Sequence, residues 1–138
     1  MYHKILITLD ATPTDRAIID HIKQLARIMH SRVILLHVAT GVPAQYSGKD
    51  AAGEEVDRGR AYLAWIAAEF AAAGIPAETE LAFGDPAREI VKWVDAKGCD
   101  LVAMSTHGHR VLGDLVFGAT ANKVRHNLSV PVLMLRAK

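Results

Sequence analysis

Short apolar runs alternate along the chain with stretches in which apolar residues recur every three or four positions. Lys4 to Leu9 reads KILITL, Arg32 to Val38 reads RVILLHV, and Asp100 to Ser105 reads DLVAMS. Nearly continuous apolar runs of this length are the signature of strands buried on both faces, as in a parallel sheet covered by helices. Between the first two, Ile18, Ile22, Leu25 and Met29 follow one another at spacings of four, three and four, with Ile19 and Ala26 widening the stripe. That spacing predicts one amphipathic helix. Thr12 as N-cap, Pro13 at the first helical position and Asp15 at the third mark its start. A strand, helix, strand unit of this kind takes a right-handed crossover and makes its strands parallel.

From Ala39 to Gly53 the stretch ATGVPAQYSGKDAAG has no periodicity and predicts a loop, long for a compact domain and therefore a candidate cover for a binding site. A second helix is expected over Glu54 to Ala73, with Val56, Leu63, Ile66, Ala67 and Phe70 on one face, Gly74 as its left-handed stop and Pro76 barring continuation. In AETELAF, Ala77, Thr79, Leu81 and Phe83 alternate with Glu78, Glu80 and Ala82, the period of a half-exposed strand near a sheet edge. Asp85 and Pro86 open a third helix whose Ala87, Ile90, Val91 and Val94 face inward and which Gly98 ends. Ala121, Val124 and Leu128 mark a last helix, and VPVLMLR, Val130 to Arg136, a fifth strand. This order predicts an α/β fold in one domain over residues 1–138: an open, five-stranded, mostly parallel sheet with helices on both faces. Ligands of such sheets sit at the carboxyl ends of the strands, near the point where strand order reverses. Asp10, Val38 and Met104 to Gly108 follow or end strands, so they are expected to converge there.

With 138 residues, 51% of them apolar and 22% charged, the chain can bury a real core and has the balance of a soluble globular protein. No run approaches the length of a membrane span, and the N-terminal stretch lacks the small-residue cleavage site of a secretory signal, so a cytoplasmic protein is expected. The single cysteine, Cys99, excludes an intrachain disulfide and a cysteine zinc site, and at the mouth of a buried strand it reads as an inert thiol. A net charge of +1 hides an asymmetry: beyond Met104, five Lys or Arg face one acid, Asp114. That excess is too small and scattered for a duplex nucleic acid, but it suits one small anion.

The basic part opens with MSTHGHRVLGDLVFGAT, Met104 to Thr120. Glycines at a strand end let main-chain N–H groups approach an anion, and a helix N-terminus adds unpaired donors and a positive dipole end. Gly108, Gly113 and Gly118 supply the first, and Thr120, at the start of the last helix, adds a hydroxyl. Neither the dinucleotide GxGxxG nor the Walker pattern is present. On spacing alone, glycines that only shape a loop and cap a helix remain an equal alternative.

At these residues the chain resembles the universal stress protein family. Its nucleotide-binding members carry Gly, two residues, Gly, nine residues, then Gly followed by Ser or Thr. The chain keeps the spacing with Ser105, Gly108, Gly118 and Ala119, but has serine for the first glycine and alanine for the final hydroxyl residue. ILITLD, LLHV, GDPAREIV, DLVAMSTHG and VPVLMLR fall in the family's order, so the resemblance covers the whole chain. It implies a Rossmann-like fold of the adenine nucleotide alpha hydrolase type. It also implies bound ATP, with Mg²⁺ held mainly through the phosphates. Carried over, the adenine lies near Asp10 and Val38, and Met104, Ser105, Gly108, Gly118, Ala119 and Thr120 surround ribose and phosphates. A homodimer through Val130 to Arg136 follows from the family's strand order, because an unblunted apolar edge invites pairing with a second chain. The function implied is that of a nucleotide-binding dimeric regulatory or stress-response protein with slow or no hydrolysis. The alternative is a dimeric interaction module without nucleotide.

Other constellations are weaker. His107 and His109 with Asp114 could suggest zinc, but two histidines two apart in a loop lack the fixed face a helix provides, and solvated loop histidines are the simpler reading. Nothing in the spacing selects Asp10 and His107 as a catalytic pair, and Asp10 reads as a pocket wall. No catalytic residue is assigned. Trp65 and Trp93 read as packing residues on helices rather than stacking platforms.

Overall fold

The strand at Lys4–Leu9 (β1) bonds in parallel to Arg32–Ala39 (β2) on one side, through Ile5 opposite Val33 and Ile7 opposite Leu35. On its other side it bonds, also in parallel, to Leu101–His107 (β4), through Ile5 opposite Leu101 and Ile7 opposite Ala103. Ala77–Phe83 (β3) extends the sheet beyond β2, and Val132–Ala137 (β5) beyond β4, both in parallel. The order is β3-β2-β1-β4-β5, and every pairing is parallel, as the buried-strand runs predict. This computed structural model describes residues 1–39, 44–107, 120 and 122–137.

Helices cover both faces. Arg16–Met29 (α1) and Ala44–Ala72 (α2) pack on one, where Ile18, Ile22, Leu63, Ile66 and Phe70 meet Ile5, Ile7, Val33 and Leu35. Pro86–Lys97 (α3) and the helix at residues 122–127 (α4) pack on the other, where Ala87, Ile90, Val94 and Val124 meet Leu6, Ile34, Val102 and Met104. Ile5, Leu6 and Ile7 are each 0% exposed, so successive side chains of one strand fill two different cores. Burying each is worth about 1.5–3 kcal/mol.

Several helix boundaries follow the expected caps. Gly74 has a φ of 80°, and the Ile75 amide bonds the Phe70 carbonyl at 3.0 Å while Gly74 bonds Ala71 at 2.9 Å. Ile75 and Phe70 are both buried, which completes a left-handed stop with its apolar contact. The Asp85 side chain accepts from the Arg88 amide at 2.9 Å, with Pro86 at the first position of α3.

Four expectations need correction. Most of the loop expected over Ala39 to Gly53 is helix: β2 runs through Ala39 and α2 begins at Ala44, with residues 40–43 outside the described ones. Elongating an existing helix costs far less than nucleating one, so the strong helix beyond Glu54 extends backward through the Gly and Ser positions that weaken the sequence signal. At the other end of the first crossover, Thr12 makes no side-chain cap bond; Pro13–Asp15 forms a 3₁₀ turn and α1 starts at Arg16. β3 is the half-exposed edge strand expected, but its inward residue differs: Ala82 is buried against α3, whereas Phe83, the last residue, is 56% exposed. Trp65 is 58% exposed, held edge-to-face by Tyr62 and under the Arg16 guanidinium, rather than packed inside.

The starts of β1 and β4 are tied by one side chain. Asp100 accepts from the His3 amide at 2.9 Å and the Lys4 amide at 3.0 Å. Burial alone would raise the Asp100 carboxyl, but these amide donors together outweigh it and hold the group below its usual 3.8. A depressed carboxyl contributes stability above its unfolded pKa and loses it as pH falls through the folded one. Asp100→Asn should therefore cost about 1–3 kcal/mol at pH 7. In urea titrations the gap between wild type and variant should close as the pH is taken from about 5 to below 3; a gap that persists at the acid end would refute this role.

Candidate functional site

Strand order reverses between β1 and β4, because the chain leaves β1 toward β2 on one side and β4 toward β5 on the other. Beyond the carboxyl ends of these strands lies a cavity of about 370 Å³, within the usual range for small-molecule sites. Asp10 follows β1, Val38 ends β2, Met104 lies on β4 and Thr120 is helical; all four line it. Leu36, Pro86 and Ile90 supply apolar wall. A larger hollow of about 470 Å³ runs along α1 beside β5, but holds none of the expected residues and lies away from the reversal point.

Ser105 is placed differently. It lies in β4 opposite Leu135, is 2% exposed and does not line the cavity. Alternation along the strand sends the Met104 side chain to the cavity face and the Ser105 side chain to the α1 face. Its backbone is not left-handed, so the Cβ that a glycine would lack meets no conformational objection and faces away from the cavity. Among the described residues, the Ser105 Oγ has no hydrogen-bond partner. Gly108, Gly118 and Ala119 lie outside the described residues, as do His109 and Asp114. Among the described residues, no group of three or more His, Cys, Asp or Glu could hold a metal ion.

Two titratable cavity residues, His37 and Glu55, are missing from the sequence reading. His37 lines the cavity, and its Nδ1 lies 2.8 Å from the Leu9 carbonyl oxygen, which orients the ring across the ends of β1 and β2. The available signal is a lone polar residue late in an otherwise apolar strand. Glu55 reaches the cavity from α2. A Cβ on Gly59, one turn further on, would stand 3.1 Å from Leu81 Cδ1 and 3.4 Å from His37 Cδ2. Glycine there lets α2 lie close over β2 and β3, which brings Glu55 to the rim. No local sequence pattern shows such an approach.

The turn after β1 is held by Asp15, which the sequence suggests only as a helix-start residue. Its carboxylate is 1% exposed and accepts from the Asp10 amide at 2.9 Å, the Ala11 amide at 2.9 Å and the Tyr62 hydroxyl at 2.7 Å. Ala11 sits at a φ of 63°, unusual for a residue with a Cβ. Burial and the Asp15 hydrogen bond raise the Tyr62 hydroxyl well above the ordinary phenol range, so Tyr62 is a donor at all physiological pH values. Cys99 is buried on the opposite side of the sheet's start, and burial pushes its thiol up to about 11, which suits an unreactive core residue.

A doubly wound parallel sheet with its crevice at the reversal point defines an α/β protein of the Rossmann-like kind. The model of the universal stress protein family matches residues 1–136. Universal stress protein YxiE of Bacillus subtilis is 29% identical over 99% of this chain and 100% of its own length. The solved structure of MJ0577, a universal stress protein of Methanocaldococcus jannaschii, superposes with a TM-score of 0.83 at 26% identity, covering 100% of this chain and 98% of the other. A universal stress protein from Archaeoglobus fulgidus, solved in complex with dAMP, shares the fold with a TM-score of 0.71 at 18% identity over 96% of this chain and 97% of that one. The chain belongs to the universal stress protein family.

A buried hydroxyl without a partner costs about 1–3 kcal/mol of desolvation. Ser105→Ala should accordingly leave stability unchanged or raise it by about 1 kcal/mol in urea unfolding. A clear loss would show that the hydroxyl is bonded in solution.

Proposed function

We propose that the chain binds an adenine nucleotide, ATP with Mg²⁺ carried on its phosphates, in the cavity at the β1–β4 reversal, and serves as a regulatory or stress-response protein with slow or no hydrolysis. The observation that carries this reading is that Asp10, Val38, Met104 and Thr120, distant in sequence, line one cavity of about 370 Å³. The apolar wall from Leu36, Val38 and Ile90 suits a base, and the polar lining residues are few: Thr8, Asp10, His37, Glu55 and Thr120. The dAMP bound by the Archaeoglobus fulgidus relative supports an adenine nucleotide as ligand. Nothing in the placement of Ser105 opposes this, because its side chain leaves the cavity free. Ala119 removes one side-chain donor to phosphate, and Thr120, which lines the cavity, offers another.

Isothermal titration with MgATP should give saturable binding below millimolar nucleotide. Ala119→Ser should tighten it about tenfold by restoring a hydrogen bond to a charged group. No heat of binding at millimolar ATP, together with no nucleotide released from the purified protein on denaturation, would remove this reading.

The two sheet edges differ in a way that favours a homodimer through Val130 to Arg136. On the β3 edge, Lys97 bridges Glu78 at 3.3 Å and Glu80 at 3.2 Å, a charged border of the kind that discourages strand addition. On the β5 edge, Val132, Leu133 and Leu135 are partly buried and Met134 is 41% exposed, an apolar row of the kind that invites strand addition. Sedimentation at micromolar concentration should report a dimer, and Met134→Lys should shift it to monomer; a monomeric wild type would refute pairing through this strand. A cytoplasmic location accords with this reading. No helix among the described residues is long and apolar enough to cross a membrane.

A further inference from the structure

Two successive amides that point into one hollow, with the second residue left-handed, form an anion nest. The turn after β1 has this geometry, with the Asp10 and Ala11 amides converging and Ala11 at a φ of 63°. The anion in it is the chain's own: Asp15, from the 3₁₀ turn that leads into α1, is 1% exposed and bonds both amides at 2.9 Å. Asp10 Nα also lies 3.1 Å from the second carboxylate oxygen, so the side chain is gripped rather than touched at one point. The nest is therefore not open to a phosphate. A left-handed alanine is disfavoured on its own, and here the buried carboxylate supplies the interaction that offsets it.

The same carboxylate has a third donor. Tyr62, on α2, reaches it at 2.7 Å, and α2 is the helix that brings Glu55 to the cavity rim. Asp15 touches no part of the cavity, yet it holds the main chain of one cavity residue and is bonded to the helix that carries another. We propose that Asp15 is a positioning residue for the nucleotide: it sets Asp10 in its binding orientation by filling the nest, and through Tyr62 it fixes α2 against that turn. This rests on the nucleotide reading above. It adds a residue, buried and outside the cavity, on which affinity depends.

The test uses the full chain in four forms: wild type, Asp15→Asn, Asp15→Ala, and Asp15→Ala combined with Ala11→Gly. MgATP affinity is read by calorimetry and protection of the Asp10 and Ala11 amides by hydrogen exchange without nucleotide. Asp15→Asn turns an acceptor into an amide facing N–H donors, and should weaken ATP by about tenfold or more while speeding exchange at these two amides. Glycine adopts the left-handed turn without help, so Ala11→Gly should recover part of the affinity lost in Asp15→Ala. A purely stabilising role for Asp15 would lower the urea midpoint of unfolding in its variants and leave the affinity of the folded protein unchanged. If wild type binds ATP and Asp15→Asn binds equally well, or if Ala11→Gly restores nothing, the positioning role is overturned and the nucleotide reading stands. If wild type itself binds no ATP, the nucleotide reading falls and the positioning role with it. Should Asp15→Asn fail to fold, Tyr62→Phe decides: a loss of affinity of about threefold supports the proposal, and an unchanged affinity overturns it.

Discussion

β1 is hydrogen-bonded along both edges and buried on both faces, and the remaining architecture depends on that double constraint. Bonded to β2 on one side and to β4 on the other, it becomes the strand at which the winding of the chain reverses. Ile5 and Ile7 face the core under α1 and α2, and Leu6 faces the core under α3 and α4. A strand so placed must be apolar where both faces are covered, which is why Ile5, Leu6 and Ile7 follow one another without alternation. Its end is then the one place where the backbone emerges between two diverging layers of helix, and there the cavity opens.

At that end the chemistry changes abruptly from apolar to polar within two residues, Leu9 to Asp10. The unpaired amides of the turn are satisfied by Asp15, whose buried carboxylate also takes the Tyr62 hydroxyl. On the adjoining surface of α1 and α2, Arg16 binds Glu69 through both terminal nitrogens, at 2.6 and 3.1 Å, and Lys23 also pairs with Glu69. The Arg16 hydrogen bond is the largest influence on Glu69 and holds its carboxyl below the usual range against the opposing effect of burial. These pairs are partly exposed, so they orient the two helices more than they stabilise them. The polar groups of the β1 turn and of the adjoining helix surface thus satisfy one another.

Much of this was legible in the chain. The five strands, the helices at α1 and α3, the Gly74 and Gly98 stops and the parallel sheet follow from apolar runs, 3.6-residue spacing and cap residues, which are local properties. Asp10, Val38 and Met104 could be placed at one end of the sheet because they follow or end strands. What was not legible depended on neighbours distant in sequence. The backward extension of α2 to Ala44 defeats local composition, since a growing helix tolerates Gly and Ser that would never start one. Glu55 comes to the cavity rim because Gly59 allows close packing of α2, and His37 because β2 ends beside β1, where its ring meets the Leu9 carbonyl.

Taken alone, the sequence determined the fold class and the end of the sheet at which a ligand would sit. Periodicity and buried-strand composition are sufficient for these, because each is set within a few residues. Tertiary structure decided the direction of individual side chains. The alternation of β4 puts Met104 in the cavity and turns Ser105 away from it, so a departure from the family motif that looks steric in one dimension is accommodated in three. It also decided the role of Asp15, a helix-start residue by position that becomes the anion of the β1 turn, because only folding brings Asp10, Ala11 and Tyr62 around one carboxylate.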